Sequence, residues 1–193
     1  FTFYKKDSIH ITPNYPFEKI TAADFPRHQA VILSIDMSIK PGQKFIEFPN
    51  RRISIGSKLP TFSFNYTRGF NGIAGSDVNF DKWRFSIAND KNFKLAGNLK
   101  YKVGVGGFIS NKSVFIQDYQ HFNGNQSIAA SEYLNSFQLA SYYTNSTIAN
   151  FYSIAHLEHH LNGFLTNKIP GLNRLNWHLL ARANAFLISA SDN

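Results

Sequence analysis

FYSIAHLEHHLNGFLTNKIPGLNRLNWHLLARANAF, residues 151–186, carries two long runs joined by a connection containing Lys168, Pro170, Gly171 and Arg174. In the second run Leu175, Trp177, Leu179, Ala181, Ala183, Ala185 and Leu187 fall on one face of an extended chain. Asn176, His178, Leu180, Arg182, Asn184 and Phe186 fall on the other. A period of two over 13 residues suits a strand and not a helix. Typical globular strands run to about 5–6 residues, whereas a tilted strand crossing a bilayer needs about 9–11. The length points to a membrane.

Working outward, the same pattern recurs. Gln29–Lys40 sets Val31, Leu33, Ile35, Met37 and Ile39 against Ile32, Ser34, Asp36, Ser38 and Lys40, and ends at a Pro41–Gly42 turn signal. A short strand-like patch at Lys44–Phe48 precedes a loop carrying Arg51, Arg52 and Lys58. Thr61–Phe70 places Phe62, Phe64 and Tyr66 together. Phe80–Ala88 and Gly97–Phe108 read as a hairpin turning at Ala88–Asn92. Residues 109–132 are a polar loop, and Tyr133–Tyr143 and Asn150–Leu165 are further strands. Residues 1–27, rich in proline, form an irregular lead-in with one short strand near Ile9–Thr12; residues 28–193 form hairpin-connected strands. About seven long strands and no helix make the chain all-β, with sequential hairpins the economical topology.

Composition narrows the class. With 19 Phe, 9 Tyr and 2 Trp among 193 residues, aromatics reach 16%, while charged residues are only 17%. A water-facing exterior carries more charge than that, and aromatics populate the interface girdles of membrane barrels. No apolar run is long enough for a transmembrane helix, and a mean hydropathy of −0.26 suits a barrel whose two faces average out. Cysteine is absent, which removes thiolate catalysis and cysteine-ligated metals. The formal charge of +8 comes from bases spread along the chain, so nucleic acid is not an expected partner.

The fold expected is therefore an antiparallel up-and-down transmembrane β-barrel, with residues 1–193 as part of one barrel domain. A barrel needs at least about eight strands. Seven leave open edges, so the chain reads as a fragment that is not stable alone.

Three stretches carry a resemblance: LEHHLNGFLTNKIPGLNRLNW at 157–177, PTFSFNYTRGFNGIAGSDVNFDKWRFSI at 60–87 and GNQS at 124–127. Together they resemble a Bacteroidota outer-membrane β-barrel family of unknown function, whose members often carry an N-terminal carboxypeptidase-regulatory-like domain. The resemblance implies that nearly the whole chain lies within the barrel, an outer-membrane location and further strands after Asn193. It implies no activity. The segment FISNKSVFIQDYQHF, residues 108–122, departs from the family pattern in lacking a proline-containing stretch.

Two constellations could carry chemistry. His156, Glu158 and His160 are spaced to point one way on a strand; they form a candidate metal or acid–base set, or a lumen network closed by Arg182. The spacing is not that of a helical zinc motif. His159 between them would face lipid unless a bulge intervenes. Lys82, Arg84, Lys100 and Lys102 share one face of a hairpin and could form an anion-facing wall, or pair with acids inside a barrel. Gly104-Val105-Gly106-Gly107 is not followed by a helix and so is no phosphate loop.

No catalytic residue, metal or cofactor is expected. The expected partners are outer-membrane lipid and other envelope proteins. The leading reading is a non-enzymatic outer-membrane barrel acting in transport, surface assembly or envelope maintenance. The alternatives are an embedded enzyme or metal-binding barrel using His156, Glu158 and His160, and a soluble β-sandwich binding module.

Overall fold

The computed structural model describes residues 2–6, 28–125, 136–141, 145–161, 163, 168–169 and 179–189. Eleven strands are seen in this part of the chain: β1 (Thr2–Lys6), β2 (His28–Ile39), β3 (Lys44–Phe48), β4 (Arg51–Gly56), β5 (Thr61–Phe70), β6 (Asn79–Asn92), β7 (Asn98–Ser113), β8 (Gly124–Asn125), β9 (Phe137–Ser141), β10 (Tyr152–His160) and β11 (Leu180–Ile188). Seven form one antiparallel sheet in the order β1-β2-β5-β6-β7-β10-β11. Among the described residues β1 and β11 are its two edges, and no pairing joins them. The architecture is all-β and antiparallel, and its only helical pieces among those residues are three short 3₁₀ turns.

Several boundaries differ from the sequence reading. The turn expected at Ala88–Asn92 is strand: β6 runs through Asn92, and the chain reverses at Phe93–Gly97. There Gly97 adopts φ +92°, a conformation natural to glycine, and a side chain would collide with the His160 carbonyl. The loop expected after Phe48 contains β4, which pairs with β3 in a separate hairpin. Between Tyr133 and Tyr143 the described strand is only β9. It pairs in parallel with β8, outside the main sheet. The Ile9–Thr12 strand and residues 170–178 lie outside the described residues, while Thr2–Lys6 pairs with β2.

Register decides which side chains share a face, because a one-residue slip moves a strand's whole set to the other side. Across β2, β5, β6, β7, β10 and β11 the pairings align Ile35–Tyr66–Trp83, Met37–Phe64–Phe85–Val105–Ser153–Leu187 and Ile39–Phe62–Ile87–Val103–Ala155–Ala185. This makes a continuous apolar face. It is open: Ile35, Met37 and Ile39 are 48%, 54% and 63% exposed, and Val103, Leu157 and Leu187 are exposed as well. Polar groups border it, with Arg68 and Tyr66 both hydrogen-bonded to Asp81 at one end.

The opposite face is polar along most of its length and is the one that is covered. After β7 the chain turns back over it. Val114, Phe115 and Ile148 pack onto buried Ala30, Ile32, Val78, Phe80 and Phe108, while Phe122 and Phe137 pack onto Tyr152 with Phe186 and Ile188 beside them. Phe122 stacks on Phe186 at 4.9 Å and meets Tyr152 edge-on at 5.5 Å. The Tyr152 hydroxyl donates to Gln120 Oε1 at 3.1 Å, tying β10 to this inward loop.

Gly106 makes room for that contact. A Cβ there would lie 2.6 Å from the Tyr152 hydroxyl and 2.6 Å from the Trp83 carbonyl oxygen. This strand glycine is thus the seat of an aromatic ring. Gly106→Ala should lower unfolding stability by about 1–3 kcal/mol, the usual penalty of overpacking, measured by urea titration of tryptophan fluorescence. Gly56→Ala, where a Cβ meets nothing within 4 Å although φ is +95°, should leave the inward loop docked.

Candidate functional site: the polar face under the inward loop

The polar face is built in rungs, each set by backbone pairing. One rung runs Asp36–Asn65–Arg84–Gly106–Tyr152–Ile188, another Ala88–Lys102–His156–Asn184, and a third Asp90–Lys100–Glu158–Arg182. Lys82 lies opposite Thr67 and Phe108. Hairpin connectivity thus brings side chains more than a hundred residues apart in sequence onto one surface.

The third rung alternates in sign and is closed by short contacts. Arg182 Nε and Nη2 donate to Glu158 Oε2 at 3.0 and 2.7 Å, and His160 Nε2 lies 2.7 Å from Glu158 Oε1. Glu158 is buried, so these charge-assisted bonds hold a carboxylate away from water. His156 belongs to the next rung and does not join them. Its Nδ1 is 2.8 Å from Asn184 Oδ1, and Phe137 covers its ring at 4.6 Å.

His156, Glu158 and His160 therefore face one side but do not converge. Among the described residues no group of three or more His, Asp or Glu is placed to hold a metal ion. His159 needs no bulge, since the pairing through it is continuous on both sides. It lies on the apolar side at the strand end, where its Nε2 is 2.9 Å from the Ala96 carbonyl oxygen.

Lys82, Arg84, Lys100 and Lys102 do share the polar face, but they are not one wall. Lys100 sits between Asp90 and Glu158 on the flanking strands, with an acid opposite on each side. Lys82, Arg84 and Lys102 have no acid directly opposite on any paired strand. Lys82 Nζ instead donates to the Asp118 backbone carbonyl at 3.0 Å, and the Asp118 carboxylate is near enough to attract it. A small cleft opens between sheet and loop, lined by Asn65, Lys82, Trp83, Arg84, Phe108, Gln120 and Tyr152.

Sequence reasoning missed Asp118, Gln120, His121 and Tyr152 as contributors to this site. They lie in, or contact, the segment read as a polar loop, and only its aromatic residues signalled that it would pack inward.

His121, in the inward loop, has its Nδ1 2.8 Å from Ser146 Oγ. Burial is the main cause lowering its pKa from 6.5, and the charge of Lys82 adds to it; the carbonyls of Gln117 and Ile116 and the Asp118 carboxylate oppose the shift.

A sheet with one apolar and one polar face, the polar one overlaid by its own loop, defines an all-β antiparallel class without fixing an activity. Residues 1–193 match the C-terminal domain of a family of unknown function (DUF5686), and the chain belongs to that family. No curated protein and no solved structure matches it.

Two measurements probe the site. Glu158→Gln and Arg182→Gln should each destabilise the fold by roughly 1.5–3 kcal/mol, and a double-mutant cycle in denaturant should show that the losses are not additive. The depressed histidine gives a pH signature. Above the unfolded-state value of about 6.5 both states are neutral at His121. As pH falls below it, the unfolded chain binds the proton first and stability drops. The fall ends once pH passes the folded-state value. Thermal melts from pH 7.5 to 4.5 should show this loss in the native chain and a smaller one in His121→Gln.

Proposed function

We propose that this chain supplies membrane-spanning strands of a bacterial outer-membrane β-barrel, as the resemblance to the Bacteroidota family implies. The apolar face meets lipid, and the polar face with its inward loop lies inside. Its role is non-enzymatic, in transport, surface assembly or envelope maintenance, with outer-membrane lipid and other envelope proteins as its partners.

One observation carries this reading. The more continuously apolar side of the sheet is the exposed side, while the polar side is the one the chain covers with its own loop. In water a β-sandwich does the reverse, burying its apolar face under a second layer. Here no second layer covers that face among the described residues, and an apolar patch spanning six strands marks contact with a membrane or a partner.

Strand length supports the membrane. β2, β5, β6 and β7 have 12, 10, 14 and 16 residues, at or beyond the span of a tilted bilayer strand. Further strands pairing with β1 and β11 would complete the ring, since closure needs at least about eight.

The absence of cysteine permits a direct test. Single cysteines at Met37, Phe64, Val103 and Leu157 on the apolar face, and at Ser38, Asn65 and Ser86 on the polar face, are spin-labelled after folding in micelles. Collision with oxygen is expected at the first set and not at the second, with a β-type circular dichroism signal that requires the micelles. Folding to a soluble monomer in plain buffer, with the first set shielded from oxygen and from water-soluble quenchers alike, would sink the membrane reading.

A further inference from the structure

Between β6, β7 and the inward loop, three cationic side chains have no acid set opposite them in the sheet. Lys82 and Arg84 stand on adjacent rungs and Lys102 two rungs beyond Arg84, and the pairing register sets Thr67, Phe108, Asn65, Gly106, Ala88 and His156 across from them, none of them an acid. Arg84 lies close enough to both lysines for their charges to repel. Its Nε is buried and has no hydrogen-bond partner, although a guanidinium N–H held away from water is costly to leave unpaired. The Asp118 carboxylate is close enough to attract Lys82, and it attracts His121 as well.

The surroundings are suited to recognition as well as charge. The cleft that holds Arg84 and Lys82 also presents the Asn65 amide, the Gln120 amide and the Tyr152 hydroxyl. Asn65 Nδ2 is committed to Asp36 Oδ1 at 2.7 Å, and the Tyr152 hydroxyl, which donates to Gln120, is also hydrogen-bonded to Arg84, so neutral groups are fixed around the guanidinium while its Nε stays unpaired. The loop roof touches Lys82 through a neutral carbonyl, which leaves its ammonium with donors to spare.

We infer that the cleft between Lys82, Arg84, Gln120 and Tyr152, with Lys102 two rungs beyond Arg84, is a binding site for a small oxyanion. A free phosphate, or a phosphate or carboxylate at the tip of a larger solute, supplies the acceptor oxygen that Arg84 Nε lacks and a charged acceptor for the donors Lys82 Nζ has to spare. A guanidinium beside an ammonium is the usual arrangement for such groups. The site lies on the polar face beneath the loop, so the anion comes from solution and not from the lipid side. This location rests on the proposed barrel orientation; the chemistry of the cleft does not.

The test is titration of the folded protein in neutral-detergent micelles with inorganic phosphate and, in a separate arm, with acetate, at constant ionic strength. Phosphate should raise the melting temperature saturably and broaden its own ³¹P resonance. Arg84→Gln should weaken that binding by about ten- to a hundredfold, the loss expected for one charged hydrogen bond, and Lys82→Met should weaken it similarly. Lys112→Gln, an exposed cation on β7, should leave it unchanged.

A response to acetate equal to that for phosphate would assign the site to carboxylates within the same oxyanion class. No saturable response to either anion, or a phosphate response equal in native and Arg84→Gln protein, would overturn the inference. If Arg84→Gln does not fold, Lys82→Met carries the same decision. A protein that folds without micelles yet binds phosphate would remove the barrel and keep the site; one that needs micelles and binds neither anion would do the opposite.

Discussion

Antiparallel register between neighbouring hairpin strands is the constraint on which the rest of the molecule depends. It is kept over nine to eleven consecutive pairings between β2, β5, β6, β7, β10 and β11, with irregularity confined to the start of β6. Shift β6 by one residue and Trp83, Phe85 and Ile87 would stand among the polar side chains, while Lys82 and Arg84 would enter the apolar band. The apolar face, the charge rungs and the seat of the inward loop are all consequences of that single alignment. Cross-strand contacts reinforce it on both sides: Phe62 against Phe85 on one, Ser34 with Thr67 and Asp36 with Asn65 on the other.

Two kinds of interior share the polar side. Near the start of β2 and the end of β7 it is a small hydrophobic core, where Ala30, Ile32, Val78, Phe80 and Phe108 meet the loop. Further along β7 and β10 it becomes a polar network, where Asp90, Lys100, Glu158 and Arg182 alternate in charge. The aromatic cluster of Phe122, Phe137, Tyr152 and Phe186 stands between them and fastens the loop. A loop held only by polar contacts could leave the sheet at little cost; ring packing makes its departure expensive.

Period two made the strands legible because it is a property of neighbouring residues. Thr61–Phe70 coincides with β5, and the faces assigned to Val31–Ile39, Phe80–Ala88 and residues 179–187 are those the sheet uses. Turn position was less legible. Ala88-Asn89-Asp90 has turn composition, yet β7 supplies partners as far as Asn92, and pairing overrode the local signal. The inward loop was the least legible element. Its contacts to β6 and β10 span more than thirty residues, as in Lys82 with Asp118 and Tyr152 with Gln120, and no local pattern encodes them. For the same reason the four bases on β6 and β7 looked equivalent in sequence. Only the partner strand reveals that Lys100 has acids beside it and Arg84 does not.

That difference shapes how the polar side can work. At the Lys100 end charge is balanced within the sheet itself, and Glu158 gathers its donors tightly enough that an added ion would have to displace them. At the Lys82 and Arg84 end the chain answers the cations mainly with dipoles, the Asp118 carbonyl at Lys82 and the Tyr152 hydroxyl at Arg84, and with one acid. Dipoles solvate a cation without cancelling its field, so the potential there stays positive. A solute carrying an anionic group would be drawn to this end and not to the other. The inward loop is then more than packing: it roofs a stretch of polar face where the sheet sets no acid opposite Lys82 and Arg84.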